Sequence, residues 1–297
     1  MLSAEVLAEI KNLEIKTRRL ASDVLTGAYS SSFHGQGMEF QEVREYTPGD
    51  DVRVIDWNVT ARTSIPHVKV YREEREQTIF LLVDVSASVN GGTARSSTLK
   101  SSRDLAGVIT WVAIQNSDRV GLIQFSDKIE QFIPPKKSRS HAWKIIKDLF
   151  ERVPSGQSTD IALALDYLRR VQKRRATVFL LSDFWDERYL NALKECSRKH
   201  DIVCVSLLDQ NDGYLPNAGV IRWRDRETGA ELLMNSSDVL VRKAFAAETD
   251  RRRSRFEKIL RDQGIGYFQM GPNESAVKAF SKYLQSSSKI VLPVKMK

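Results

Sequence analysis

The sequence has little of what holds small secreted domains and most catalytic centres together. Its two cysteines, Cys196 and Cys204, are too few for a disulfide framework and read as buried, reduced thiols. Its four histidines, His34, His67, His141 and His200, are scattered without metal or triad spacing, so they read as structural or exposed. Nothing matches G-x-x-x-x-G-K-[ST], so the chain carries no P-loop and any ATP hydrolysis would belong to a partner. The longest mostly apolar stretch, Leu105 to Ile114, is ten residues, whereas a membrane span needs about 20. The opening MLSAEVLAEIKNLEIK has no basic start followed by an apolar run and is not read as a secretory signal. Together these features point to the cytoplasm. Internal repeats and low-complexity segments are also missing, which excludes solenoids.

What is present suits a globular α/β protein. A chain of 297 residues accommodates one large domain with an appendage, and its core needs no staples. The net charge is +8 and the pI near 9.4. Acidic residues outnumber basic ones over 1–76, and the basic excess is spread over the rest. A spread excess points to nucleic acid less strongly than a dense stripe, and no helix-turn-helix, zinc or RNA-recognition signature accompanies it.

Leu2, Val6, Leu7, Ile10, Leu13 and Leu20 mark an amphipathic N-terminal helix. A turn-rich stretch, Gly27 to Gly37, leads into a dense polar and aromatic segment, Met38 to Arg62, with a Pro48-Gly49-Asp50 turn. Residues 1–76 therefore read as an appended subdomain and 77–297 as the main domain. From residue 77, buried strands alternate with helices. The strands are Thr78–Val83, Arg119–Phe125, Ala176–Leu181, Ile202–Leu208 and Gly266–Met270. The helices lie near 98–116, 140–151, 159–172, 187–199, 237–263 and 273–284. The segment LAGVITWVAI is apolar almost all round and is expected to be buried. Ile129–Ile133 follows its neighbour too closely for a parallel crossover, so it reads as an antiparallel edge stopped by Pro134-Pro135. Val220–Arg224 and Glu231–Met234 suit a hairpin, an insertion near 218–235. The expected fold is a mostly parallel sheet of about six strands with helices on both faces.

In such sheets ligands bind beyond the carboxyl ends of strands, where the winding direction reverses. The first buried strand ends in Asp84-Val85-Ser86-Ala87-Ser88 and a later one in Ser182-Asp183. Between them, Pro154-Ser155-Gly156-Gln157-Ser158-Thr159-Asp160 leads into a helix. Two carboxylates and three hydroxyls, Asp84, Ser86, Ser88, Thr159 and Asp183, are thus placed at one sheet edge. All are hard oxygen donors, which suits Mg²⁺, with Mn²⁺ or Ca²⁺ as the other candidates, and disfavours Zn²⁺. Each residue also has a bland reading: Ser86 and Ser88 as loop caps, Thr159 as a helix N-cap, Asp183 as a turn residue.

Asp84-x-Ser86-x-Ser88, Thr159 in a Gly/Ser loop, and Asp183 after a buried strand resemble the metal-ion-dependent adhesion site of the von Willebrand factor type A fold. The preceding segment adds Gly35-x-Gly37-x-Glu39-Phe40, Arg44-x-Tyr46, Gly49-Asp50-Asp51-x-Arg53-x-Ile55-Asp56-Trp57 and Ala61-Arg62. With it, nearly the whole chain resembles the bacterial family called domain of unknown function fifty-eight. The resemblance implies that Asp84, Ser86, Ser88 and Thr159 hold a metal directly or through water, and that Asp183 accepts hydrogen bonds from metal-bound waters. It implies an open coordination position for a partner's carboxylate, and a MoxR-type AAA+ ATPase as that partner. The function expected is then metal-bridged protein recognition without catalysis.

Two alternatives stay open. A Mg²⁺-bound carboxylate at a strand end also suits phosphoryl transfer, although Ser86 stands where haloacid-dehalogenase-type phosphatases need a second Asp. Nucleic-acid binding would rest on the charge and on Arg251-Arg252-Arg253-Ser254-Arg255. Most of those arginines fall off the apolar stripe of their helix and read as a solvated face, while Arg252 points near the stripe. The interleaved Glu39, Arg44, Asp50, Asp51, Arg53, Asp56 and Arg62 read first as a salt-bridge network. The alternative is a partner surface, formed by Arg44, Asp50, Asp51, Arg53, Asp56 and Trp57.

Overall fold

The computed structural model describes residues 11, 29, 37–74, 76–86, 95–151, 156, 158–185, 188–209, 213–224 and 231–287. The expected helix over 2–20 lies outside them apart from Lys11, as does Ser88. Contacts divide the chain into two units, Phe33–Gln77 and a larger one formed by Met1–Ser32 with Thr78–Lys297. Tyr29 belongs to the larger unit: it is buried, and its hydroxyl donates to Asp118 Oδ2 at 2.8 Å.

The larger unit is built on near-continuous apolar runs. Such runs have no polar face to offer water, so they form strands covered on both sides. β3 (Thr78–Asp84), β4 (Arg119–Phe125), β6 (Thr177–Ser182), β7 (Asp201–Leu207) and β10 (Gly266–Met270) are parallel neighbours in the order β10-β7-β6-β3-β4, and β5 (Ile129–Lys136) closes the β4 edge antiparallel. The fold is therefore mixed α/β around a six-stranded, mostly parallel sheet, as the alternation in the sequence predicts. One detail differs. β5 is not stopped by Pro134-Pro135 but runs through them to Lys136. A proline lacks its N–H, and on the outer side of an edge strand or at a bulge that donor has no ladder partner to lose. The register shift between the Val120–Lys136 and Leu122–Ile133 pairs absorbs the misfit.

Side chains alternate across β3, so Phe80 and Leu82 face one layer of helices and their neighbours the other. The first layer is α4 (Ile161–Val171), α5 (Leu190–Ser197) and the end of α6 (Val239–Asp262), which contribute Leu165, Leu168, Leu193 and Leu260 to one core cluster. The second holds α2 (Arg95–Gln115), α3 (Arg139–Glu151) and α7 (Ala276–Ser287). Leu105 to Ala113 of α2 is buried throughout, and Trp111 meets Trp143 edge-on at 5.9 Å. β8 (Val220–Arg224) and β9 (Glu231–Asn235) pair as a separate antiparallel hairpin.

The smaller unit pairs β1 (Gly37–Glu45) with β2 (His67–Glu74) antiparallel, with a bulge between Phe40 and Glu42. A 3₁₀ turn, Val52–Val54, and α1 (Trp57–Thr63) fill the connection. Asp51 and Asp56 start these two helical segments. Each carboxylate accepts from a backbone N–H of the first turn, as an N-cap does. Arg44 meets Asp50 through two parallel bonds of 2.7 Å, and Thr47 donates to the same carboxylate through N and Oγ1. These donors hold the Asp50 carboxyl well below the usual range, Arg44 first among them.

Both cysteines are buried, and burial raises both thiols, Cys196 to about 11. His200 is 1% exposed, and among the described residues neither ring nitrogen has a hydrogen-bond partner. Desolvation, aided by Lys199 and Arg175 against the opposing Asp201, lowers its pKa to about 4. Because the folded value lies below the unfolded one near 6.5, only the unfolded chain takes up this proton between those values. Stability is thus full above pH 6.5 and falls toward pH 4, by at most about 1.4 kcal/mol per pH unit from this residue. In urea titrations over that range, His200→Leu is expected to have a flatter pH dependence than wild type; an identical slope would show that His200 titrates normally.

Candidate functional site

The winding direction reverses at β3: the chain steps to β4 and β5 on one side, then returns to β6 on the other. At such a point no loop crosses the strand ends, and a crevice is left between them. Asp84 ends β3 and Ser182 ends β6, each fully buried. The Asp84 carboxylate is held from both sides. Ser182 Oγ donates to its Oδ2 at 2.7 Å, and the Ser86 N–H donates to its Oδ1 at 3.0 Å. The second bond makes Asp84–Ser86 an Asx turn, which bends the chain off the sheet.

Ser86 is itself fully buried, and its hydroxyl oxygen accepts from Thr159 Oγ1 at 2.7 Å. These residues are 73 positions apart in sequence. Thr159 is nearly as buried, and it stands immediately before Asp160, whose carboxylate caps α4 through Leu163 N–H at 2.9 Å. Thr159 is therefore not the N-cap. That role falls to Asp160 and leaves the threonine hydroxyl to the site.

The Thr159 loop is anchored to the turn after β4. Asp160 N–H donates to the Ser126 carbonyl at 3.0 Å, and Gly156 N–H donates to Glu130 Oε1 at 2.7 Å. Ser126 Oγ donates to the same Glu130 oxygen at 2.8 Å. A Cβ on Gly156 would land on the Ser126 and Asp127 side chains, so only glycine lets the loop approach this closely.

Asp183 is half-buried, one residue beyond Ser182, and its Oδ1 accepts from Trp185 N–H at 3.3 Å. Between them Phe184 is buried with φ of 56°, a left-handed conformation that bulky residues seldom adopt. Its ring is held 4.9 Å from Phe256 and 5.9 Å from Tyr189. Packing thus fixes a backbone bend that the residue type disfavours, and the bend sets the course of the Asp183 loop.

The structure therefore brings Asp84, Ser86 and Thr159 into one bonded cluster and sets Asp183 on the adjoining strand end. Ser88 lies outside the described residues. Among the described residues no three His, Cys, Asp or Glu side chains gather as a metal site; the donors here are carboxylates and hydroxyls. That set fits a hard cation. Two neighbouring ligands of an octahedral Mg²⁺ at about 2.0–2.1 Å lie about 2.9 Å apart, close to the 2.7 Å between the Ser86 and Thr159 hydroxyl oxygens.

Three supports carry no motif signal: Ser182, which holds Asp84, and Ser126 and Glu130, which hold the Thr159 loop. Ser182 alone has a sequence cue, a polar residue closing an apolar strand. Of the residues considered as a partner surface, Arg44, Asp50, Asp51 and Asp56 are engaged locally, Asp56 also with Lys69 at 3.5 Å. Arg53 and Trp57 point outward, the arginine side chain 89% exposed. In the arginine run, Arg251 is a solvated i,i+3 partner of Glu248, and Arg252 turns inward, both as its spacing predicts.

Ser182→Ala leaves Asp84 one donor short in a buried place. A loss of about 1–3 kcal/mol is expected in chemical denaturation; an unchanged midpoint would show that Ser182 does not hold the carboxylate.

An uncharacterized protein of Mycobacterium bovis (strain ATCC BAA-935 / AF2122/97), Mb1516, is 30% identical over 263 residues, covering 88% of this chain and 83% of its own. Its Mycobacterium tuberculosis counterpart Rv1480 matches to the same extent. Among solved structures, the conserved hypothetical protein BatB from Bacteroides thetaiotaomicron superposes with a TM-score of 0.45 at 16% identity, covering 72% of this chain and 99% of that one. Residues 42–255 match the family described as "Protein of unknown function DUF58", and the chain belongs to that family.

Proposed function

We propose that this protein is a metal-ion-dependent protein-interaction module. The observation that carries the reading is the cluster at the sheet's switch point: a buried carboxylate fixed by two donors, next to two hydroxyl oxygens 2.7 Å apart from distant parts of the chain. Asp84, Ser86 and Thr159 would hold Mg²⁺, with Ser88 from the same loop and with Asp183 accepting from its waters. The ion would supply a positive charge able to bind a carboxylate from a partner. No bond in the partner need be broken, because the donors around the cluster serve to hold oxygen atoms in place.

The partner we favour is a MoxR-type AAA+ ATPase, acting with this chain in chaperone-like assembly or maturation. That choice rests on the family resemblance alone. In the unit Phe33–Gln77, Val52, Trp57, Ile65 and the Arg53 side chain are exposed and available to a second contact. We place the protein in the cytoplasm on its two buried thiols, a setting that keeps them reduced. Among the described residues no helix is long and apolar enough to cross a membrane.

A Mn²⁺ titration followed by electron paramagnetic resonance tests the metal. Wild type is expected to bind one ion, and Asp84→Ala and Thr159→Val none; the threonine variant keeps the side-chain shape, so a folded protein remains for the test. Equal binding by all three would overturn the assignment. For the partner, tagged protein would be used to capture lysate proteins in Mg²⁺, in EDTA, and with Thr159→Val in Mg²⁺, followed by mass spectrometry. An AAA+ ATPase is expected with wild type in Mg²⁺ only. Equal recovery in all three would move the interface away from the cluster. Mg²⁺-dependent phosphoester turnover lost in Asp84→Ala would favour phosphoryl transfer instead.

A further inference from the structure

The last turns of α6 pass over the loop that carries Asp183. Between them lies a small cavity of about 50 Å³, lined by Asp183, Trp185, Arg252, Arg253, Phe256 and Tyr267 among others. Its size excludes most ligand classes. Small-molecule and cofactor sites begin near ~300 Å³, so a nucleotide or an aromatic ring has no room. A volume of this order holds a few waters, or one carboxylate head.

Its chemistry is that of an anion receptor. The Arg252 guanidinium lies 4.5 Å over the Trp185 ring, and its Nη2 reaches the Phe184 carbonyl at 3.4 Å, a long contact. Three other arginines of the helix face acids on the same helix: Arg251 Glu248, Arg253 Asp250, and Arg261 Glu257. Arg252 has no such carboxylate among the described residues. It is a planar fork stacked on an indole, its orientation fixed and most of its donors uncommitted, which is the arrangement that binds carboxylates through two parallel bonds. Among the described residues the lining holds the guanidinium groups of Arg252 and Arg253 and the carboxylate of Asp183, and Arg253 also faces Asp250 at 4.0 Å, which leaves Arg252 as the group to meet an incoming anion. Phe184, Tyr189, Phe256 and Tyr267 form an aromatic floor that lowers the local dielectric and strengthens such a contact.

We propose that the Arg252–Trp185 pocket is a second carboxylate subsite beside the metal loop. It would take an Asp or Glu side chain of the same partner segment whose first carboxylate reaches the metal. The proposal rests on the function given above, and it makes the preferred partner segment doubly acidic. It also gives the inward-turned Arg252 a function.

The test uses the full chain and short fluorescein-labelled Gly/Ser peptides. One set carries a single Glu, one carries two Glu at close spacings, and one carries Gln instead. Binding is read by anisotropy in Mg²⁺ and in EDTA. In Mg²⁺ the best two-Glu peptide is expected to bind about tenfold more tightly than the one-Glu peptide, the worth of one charge-assisted pair. In Arg252→Gln the two-Glu peptide is expected to fall to the one-Glu level. Equal binding of the two peptides by wild type, or no binding by any, overturns the subsite. A parallel loss of both peptides in Arg252→Gln also overturns it, because Arg252 would then act only by shaping the Asp183 loop. A two-Glu preference that needs Arg252 but survives EDTA and Thr159→Val would keep the subsite and sink the metal. EDTA-sensitive binding indifferent to Arg252 would do the reverse.

Discussion

The bond between Ser182 and Asp84 joins the end of β6 to the end of β3, and the site depends on it. A carboxylate in a closed apolar interior is costly unless donors surround it. Asp84 meets that condition with one donor from across the switch point and one from its own turn. The same pair therefore closes the crevice at its base and fixes the direction in which the chain leaves β3. Ser86 then lies where Thr159 can reach it, and the Thr159 loop is brought there by the Ser126–Glu130 anchor. Sheet order, two turns and one helix cap all converge on a cluster of four oxygen-bearing side chains.

Much of this is legible in the residues. Buried strands announce themselves as runs such as TIFLLV because both faces are covered, and the antiparallel edge follows from a connection too short to cross over. Asp84, Ser86, Thr159 and Asp183 can be placed because each stands at the end of a strand or the start of a helix, where function gathers in open sheets. The rest is hidden for physical reasons. Pro134-Pro135 looks like a stop, and only the register shift at that point of the edge strand lets β5 run through it. Glu130 supports a loop 26 residues away, and no local pattern encodes that distance. Arg252, by contrast, turns inward as its spacing along the helix predicts.

The small unit illustrates a different economy of charge. Asp50, Asp51 and Asp56 look alike in sequence, yet one pairs bidentately with Arg44 and two begin helical turns. All three are explained by backbone and neighbour contacts inside the unit. Most of a conspicuous acidic and basic motif is therefore spent on making a two-stranded unit with short helices hold its shape. What remains for a partner is the part that does no such work, the outward Arg53 and the exposed Trp57.

The hydroxyl pair at the main site has a consequence for affinity. Thr159 already donates to Ser86, so the cluster is satisfied without an ion. Under the proposed function, a cation entering there must break that bond and turn both oxygens toward itself, and its net gain is the difference between two favourable arrangements. Mg²⁺ is also reluctant to shed water. Both effects weaken binding by the isolated protein, and a partner's carboxylate offsets them by adding a full charge to the assembled site. An ion held loosely alone and firmly in the complex makes partner and metal bind together, each raising the affinity for the other by the same factor. A cluster whose hydroxyls satisfy each other is thus better suited to joining two proteins through an ion than to keeping that ion permanently.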